Sequence, residues 1–188
     1  MSNARKLANL LGTSTTVPSS KLSLVAADMP SGSVLQVVQA TTTTQQTLDT
    51  GSANNENFVD IGLSLSITPS STSNKIYLMA SVSVGQKGNS YNNSLGLFRG
   101  STLIGGGLTS GLDNIAVNAS WRAFNEYAMA QLPINFLDSP STTSATTYVV
   151  KCNNNGGSSY PSYINRSEYG NAFGGNPSST LLAMEIAG

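Results

Sequence analysis

The chain has 188 residues, no histidine, one cysteine and a formal net charge of zero. Charged residues make up 10% of it, against about 25% of an ordinary soluble domain. The lack of histidine excludes Ser-His-Asp and Cys-His catalysis, and the single cysteine excludes internal disulfides and thiolate zinc clusters. Since there is no basic stripe, no nucleic-acid partner is expected.

Residues 1–30 differ from the rest and are predicted to form an N-terminal arm. Ala4, Leu7, Ala8 and Leu11 recur at helical spacing, with Leu10 beside them, so the arm is predicted to hold one short helix that ends at Gly12. A helix this short is marginal alone in water, so Leu7, Leu10 and Leu11 are expected to attach the arm to another surface. This start lacks the apolar run of a secretory signal, and no later stretch approaches the roughly 20 apolar residues of a membrane span.

From Ser33 onward the sequence alternates with period two, which is typical of strands. The alternation is clearest over 58–67 and 75–84, where apolar residues occupy every second position. We therefore predict a hairpin of these two strands about the turn at 68–74. Further strands are predicted at 33–40, 94–99, 102–104, 121–130, 132–136, 146–152 and 181–186.

Two long segments rich in polar residues, 41–57 and 153–177, are predicted to be loops. Pro133 is expected to mark an edge strand or a bulge. About eight strands with no helix after Gly12 predict an all-β protein, an antiparallel jelly-roll β-sandwich over residues 31–188.

Catalytic and metal sites have little support in the residues. Gly105-Gly106-Gly107 lacks the GK[ST] of a phosphate loop and is expected to be a turn. The acidic residues are scattered, although folding could still bring two carboxylates together as in a glycosidase. Cys152 beside Val149-Val150 is expected to be a buried thiol. We predict no enzyme activity, no cofactor and no metal.

The segment from Tyr160 to Phe173 is the best candidate for binding. Tyr160, Tyr163, Tyr169 and Phe173 lie there among Asn, Ser and Gly. Tyrosine offers a rigid amphipathic surface and Asn and Ser offer adaptable hydrogen bonds, a composition that suits sugar recognition. The alternative is that these rings pack over the end of the barrel or in a subunit interface.

Three phrases resemble bacteriophage virion proteins: Ala4–Gly12, Pro30–Val38 and Ser179–Ile186. The first resembles the start of phage fibre and tail proteins, and the other two resemble the opening and closing strands of their terminal β domain. The resemblance implies a short fibre, knob or decoration protein whose β domain is similar to the trimeric jelly rolls of tumour-necrosis-factor-like proteins. Only about thirty residues precede the β domain, which favours a compact decoration protein over a long fibre.

The expected function is therefore that of a non-enzymatic virion structural protein, made in the host bacterial cytoplasm. It would form a homotrimer and attach through residues 1–30 to other capsid or tail proteins. The alternative is a host receptor or carbohydrate-binding adhesion module of the phage tail, with a host-surface glycan as partner.

Overall fold

The computed structural model describes residues 28–49, 58–88, 92–107, 117–122, 125–154, 159–170 and 175–188. The helix predicted before Gly12, with Leu7, Leu10 and Leu11, lies outside these residues, as does Phe173. The described part contains no α-helix, and thus no helix able to cross a membrane.

The strands lie close to where the period-two alternation predicts them. They are β1 (Val34–Thr42), β2 (Gln46–Leu48), β3 (Val59–Ile67), β4 (Lys75–Gln86), β5 (Asn93–Arg99), β6 (Thr102–Ile104), β7 (Ala119–Trp121), β8 (Met129–Asp138), β9 (Thr146–Asn154), β10 (Ser162–Ile164) and β11 (Ser179–Ile186). Short strands β2 and β10 fall inside the two segments predicted as loops, and a turn at 125–128 interrupts the strand predicted over 121–130.

The strands form two antiparallel sheets, and the all-β sandwich predicted from the sequence is confirmed. In sheet 1, β4 pairs with β8 on one side. On its other side β4 pairs with β10 and β11, which lie end to end, and these pair in turn with β2 and β1. In sheet 2, β3 pairs with β9 and β9 pairs with β5. The other side of β5 pairs with β6 and β7, which lie end to end. Each sheet therefore has four rows. The chain passes to the other sheet after every row, except at the hairpin that joins β5 to β6 within sheet 2. This order of connections is that of a jelly roll.

The hairpin predicted from 58–67 and 75–84 is wrong. β3 pairs with β9 in sheet 2, whereas β4 pairs with β8, β10 and β11 in sheet 1. The turn at 68–74 crosses from one sheet to the other. Alternation shows that one face of each strand is buried, but it does not show which strand lies beside it.

Local chemistry accounts for the turn between β5 and β6 and for the position of Pro133. Gly100 has a φ of +59° at the first central position of the two-residue β5–β6 loop, as a type II′ turn requires. Pro133 lies on β8, which pairs only with β4 among the described strands, so its missing N–H breaks no ladder on the open edge.

The core lies between the sheets and comes from alternate residues of nearly every strand. Ile76, Leu78 and Leu181 of sheet 1 face Leu63, Leu97 and Val150 of sheet 2, and all six are fully buried. Each buried aliphatic side chain contributes about 1.5–3 kcal/mol relative to exposure. This layer sets which face of every strand points inward.

Two buried acids close the core at the end where β4 begins. Asp138 of β8 accepts hydrogen bonds from Arg99 Nη1 at 2.9 Å and from Tyr148 Oη at 2.7 Å, and so joins sheet 1 to β5 and β9 of sheet 2. Burial, together with this bond to the carboxylate, raises the pKa of Tyr148. The phenol therefore stays protonated and donates at every ordinary pH.

Glu185 of β11 is 1% exposed and joins β1, β11 and the β3–β4 turn. Its carboxylate accepts from Gln36 Nε2 at 2.6 Å, from Asn74 Nδ2 at 2.6 Å, and from the amide and hydroxyl of Ser70 at 2.6 and 2.7 Å. Burial alone would raise the pKa of Glu185, but the four donors outweigh it and the pKa is lowered.

We expect Glu185→Gln to lower the free energy of unfolding by about 1–3 kcal/mol near neutral pH, because an amide cannot accept all four bonds. A lowered folded-state pKa adds stability above the ordinary glutamate pKa of about 4.3, and this is lost as the pH falls through the folded-state value. The difference between wild type and variant should therefore shrink in acid. Urea unfolding at neutral and acidic pH measures it, and a difference independent of pH would contradict the assignment.

Candidate functional site

The candidate tyrosines lie at the end of the sandwich where β4 finishes, here called the tyrosine end. It is formed by the turn at 125–128 and the segments 159–161 and 165–170. The opposite end carries the β3–β4 turn, the start of β1 and the C-terminus, where Gly32 N donates to Ala187 O. The 12 residues of β4 separate the two ends, a span of roughly 36 Å at 3.3 Å per residue.

Tyr163 lies in β10 and is only 6% exposed. The guanidinium of Arg166 covers its ring at 5.0 Å from the centroid. Burial first, and then the charge of Glu168, raise the pKa of Tyr163, against the opposing charge of Arg166. A ring covered in this way packs the loop onto sheet 1 and offers little surface to a ligand.

Asn165 fixes this loop, and sequence reasoning missed it. It is fully buried with a φ of +56°, a left-handed conformation that Asn tolerates better than most residues. Its Nδ2 donates to Thr42 O and Thr44 O, each at 3.1 Å, and its Oδ1 accepts from Ser179 Oγ at 2.7 Å. One side chain thus ties the loop to the end of β1 and the start of β11.

Tyr160 and Tyr169 lie nearer the surface, in different places. The ring of Tyr160 lies over Gly88, where an added Cβ would meet it at 3.7 Å. Tyr169 is 49% exposed and stacks on Tyr127, which is 48% exposed, with centroids 4.7 Å apart and an interplanar angle of 11°. The predicted tyrosines are therefore split between packing and surface, and Tyr127, more than thirty residues earlier in the chain, joins the exposed pair.

The interior becomes polar towards the tyrosine end. Gln86, Asn93, Asn154 and Ser162 are fully buried there, and the Asn93 amide has no hydrogen-bond partner among the described residues. Polar groups between the sheets add little hydrophobic stability. The apolar layer thus holds the sandwich mainly from its middle to the opposite end.

Cys152 is fully buried, as expected from its apolar neighbours. Burial raises its pKa to about 12, with an opposing effect from the Ser162 hydroxyl. The thiolate that would act as a nucleophile is therefore scarce near neutral pH. No group of three or more His, Cys, Asp or Glu residues in the described ranges could hold a metal ion.

The outer faces of the two sheets differ in chemistry. On sheet 1 a continuous uncharged face is formed by Val37, Gln39, Tyr77, Met79, Ser81, Pro133, Asn135, Leu137, Thr180, Leu182 and Met184. Val37, Leu137 and Met79 of this face are 55%, 47% and 42% exposed. On sheet 2 the hydroxyls of Ser66 and Thr147 bond at 2.7 Å, and Lys151 lies over the Phe98 ring at 4.7 Å.

Comparisons with known proteins give only distant similarity. No protein-family model matches the chain, and no curated protein does. Among solved structures it is similar to chains of infectious bursal disease virus. The Gx strain gives a TM-score of 0.39 at 11% identity over 81% of this chain and 37% of that one. The VP2 subviral particle gives 0.36 at 11% over 81% and 38%. The Gt strain gives 0.32 at 15% over 82% and 38%.

This chain thus spans less than two fifths of the length of those viral chains. The strand order within the two sheets is itself that of a jelly roll, independently of this similarity.

We expect Cys152 to resist thiol reagents in the native protein and to react at once after denaturation, because the folded-state thiol is buried and protonated. Time-resolved labelling with an aromatic disulfide, with and without urea, measures this. Rapid labelling of the native protein would show that the strand around Cys152 opens or that its thiol is activated.

Proposed function

We propose that the chain is a non-enzymatic structural protein of a bacteriophage virion, which assembles as a homotrimer through the uncharged face and attaches through residues 1–30. The observation that carries the proposal is the uncharged face itself. Seven of the eleven residues of this face are apolar, and a large exposed patch of apolar residues usually marks an association surface. Since the one charged side chain on this side of β4, Lys75, lies at the rim beside Ile186, a second copy can cover the centre of the patch without desolvating an ion.

The phrases that resemble phage virion proteins support the same proposal. Pro30–Val38 and Ser179–Ile186 lie far apart in the sequence, yet β1 and β11 pair over the range from Val34–Ile186 to Thr42–Ser179. The two phrases thus form one antiparallel ribbon at the edge of sheet 1. Val37 and Met184 from this ribbon are part of the uncharged face.

The two ends of the sandwich differ in structure, and this difference fits attachment at one end. Residues 1–27 lead into Asp28 and Met29, and Met29 lies beside Ser71, Asn74 and Gly188 at the end opposite the tyrosines. An arm that anchors this end to a capsid or tail protein would leave the tyrosine end pointing outward. Three arms on one trimer would add avidity through linked contacts.

We expect light scattering after size exclusion to give the mass of three chains, and Met79→Glu to give monomers. A carboxylate at this position would have to be buried in the interface without a partner. Ser64→Glu is the matched control, since Ser64 is exposed on the outer face of sheet 2. A wild-type monomer, or equal disruption by both variants, would refute assembly through this face.

We expect a chain that lacks residues 1–27 to keep its fold and its trimer but to be missing from purified particles, because the deletion spares the Gly32–Ala187 contacts. Complementing a phage that lacks the gene with the shortened chain, followed by detection of the protein in virions, measures this. Normal incorporation would show that attachment lies elsewhere.

A further inference from the structure

The stacked pair Tyr127–Tyr169 is an exposed aromatic surface that the proposed structural role does not use. We infer that it is a binding site for a neutral pyranose, a hexose or N-acetylhexosamine unit of a surface glycan. This inference goes beyond the structural role and does not depend on trimer formation.

The pair is held in place before any ligand arrives. Tyr127 N donates to Asn125 Oδ1 at 2.9 Å, which closes the turn before β8. Glu168 N donates to Glu126 O at 3.2 Å, so the two loops that carry the rings are joined by a main-chain bond. A binding surface ordered in advance loses less entropy when a ligand binds.

Arg166 fixes the loop of Tyr169 from below. Its Nε donates to Ser167 O at 3.0 Å and its Nη2 to Glu168 O at 2.7 Å, while its guanidinium lies over Tyr163. Gly170 N donates to Ser167 O at 3.1 Å and completes the turn. Arg166 and Tyr163 therefore hold the loop of Tyr169 in place, and the rings of Tyr127 and Tyr169 form the exposed surface.

The geometry of the rings selects the kind of ligand. Because the rings are nearly parallel and in contact, each covers one face of the other, and about half of each side chain stays exposed to solvent. A flat open ring face matches the C–H face of a pyranose, whose weakly positive hydrogens meet the negative ring face. A quaternary ammonium ion is instead recognised by several rings that enclose it.

The groups beside the pair favour a neutral sugar. Tyr169 has a raised pKa, caused first by Tyr127, then by partial burial, and then by the nearby charges of Glu126 and Glu168. Glu126 and Glu168 each come directly before one ring of the pair, and their main chains are hydrogen-bonded, so both carboxylates lie near the rings and can accept hydrogen bonds from sugar hydroxyls. Two negative charges against the one positive charge of Arg166 disfavour a uronic or sialic acid at the site.

Saturation-transfer NMR on the full chain tests this, with the methyl glycosides of glucose, galactose and N-acetylglucosamine as probes and methyl glucuronide as the anionic comparison. We expect transfer to the ring protons of at least one neutral glycoside and none to the glucuronide. The double variant Tyr127→Ala/Tyr169→Ala should weaken binding by about tenfold or more, whereas Tyr127→Phe/Tyr169→Phe, which keeps both rings, should stay within about threefold of wild type.

Tyr160→Ala is the matched control, because Tyr160 lies over Gly88 and is not one of the two stacked rings, and it should bind like wild type. Circular dichroism and the mass in solution establish that each variant is folded. No transfer to any neutral glycoside, a preference for the glucuronide, or loss of binding in Tyr160→Ala alone would overturn the site. A trimer that binds no sugar refutes this inference only, and a monomer that binds sugar refutes the assembly proposal only.

Discussion

The apolar layer between the two sheets is the constraint on which the rest of the molecule depends. Leu63, Leu97 and Val150 meet Ile76 and Leu181 across it, all fully buried. Because side chains alternate along a strand, fixing the inner face of each strand also fixes the outer one. The layer therefore decides that Val37, Met79 and Leu137 point outward together on sheet 1, although each belongs to a different strand. The outer face is a consequence of how the core is filled.

The pairing pattern explains how the two ends come to differ in structure. Jelly-roll connectivity folds the chain as one long antiparallel ribbon, in which β1 and β2 run beside β11 and β10, β3 beside β9, and β4 beside β8. The first residues that the structure describes and the C-terminus meet at the end that is closed by the Glu185 and Asp138 networks. The loops of the other end project from a polar interior. A rigid, well-bonded end suits attachment, and the loops at the far end suit binding, because loops carry function when a scaffold positions them.

The roles proposed for the uncharged face and for the tyrosine pair rely on different physics and are compatible with each other. Burial of aliphatic side chains is non-directional and suits a permanent subunit contact. Stacking on an aromatic face with carboxylates at its rim is directional and suits a reversible ligand. Three copies of a weak site on one trimer would bind a repeated surface much more tightly than a single copy. The low charge of the chain, 10% Asp, Glu, Lys and Arg, is consistent with both surfaces.

The sequence by itself determined the long strands, because the alternation in 58–67 and 75–84 and the turn residue Gly100 act over a few neighbours, but it missed the short strands β2 and β10. It also predicted the sandwich and the buried thiol of Cys152. Only the tertiary structure decided which strands pair, since period two is the same for either partner and the hairpin of β3 and β4 was therefore predicted wrongly. The same reason applies to the site. Tyr163 and Tyr169 look equivalent in sequence, but Arg166 covers the ring of Tyr163. Tyr169 instead stacks on Tyr127, which lies in a distant segment that only folding brings beside Tyr169.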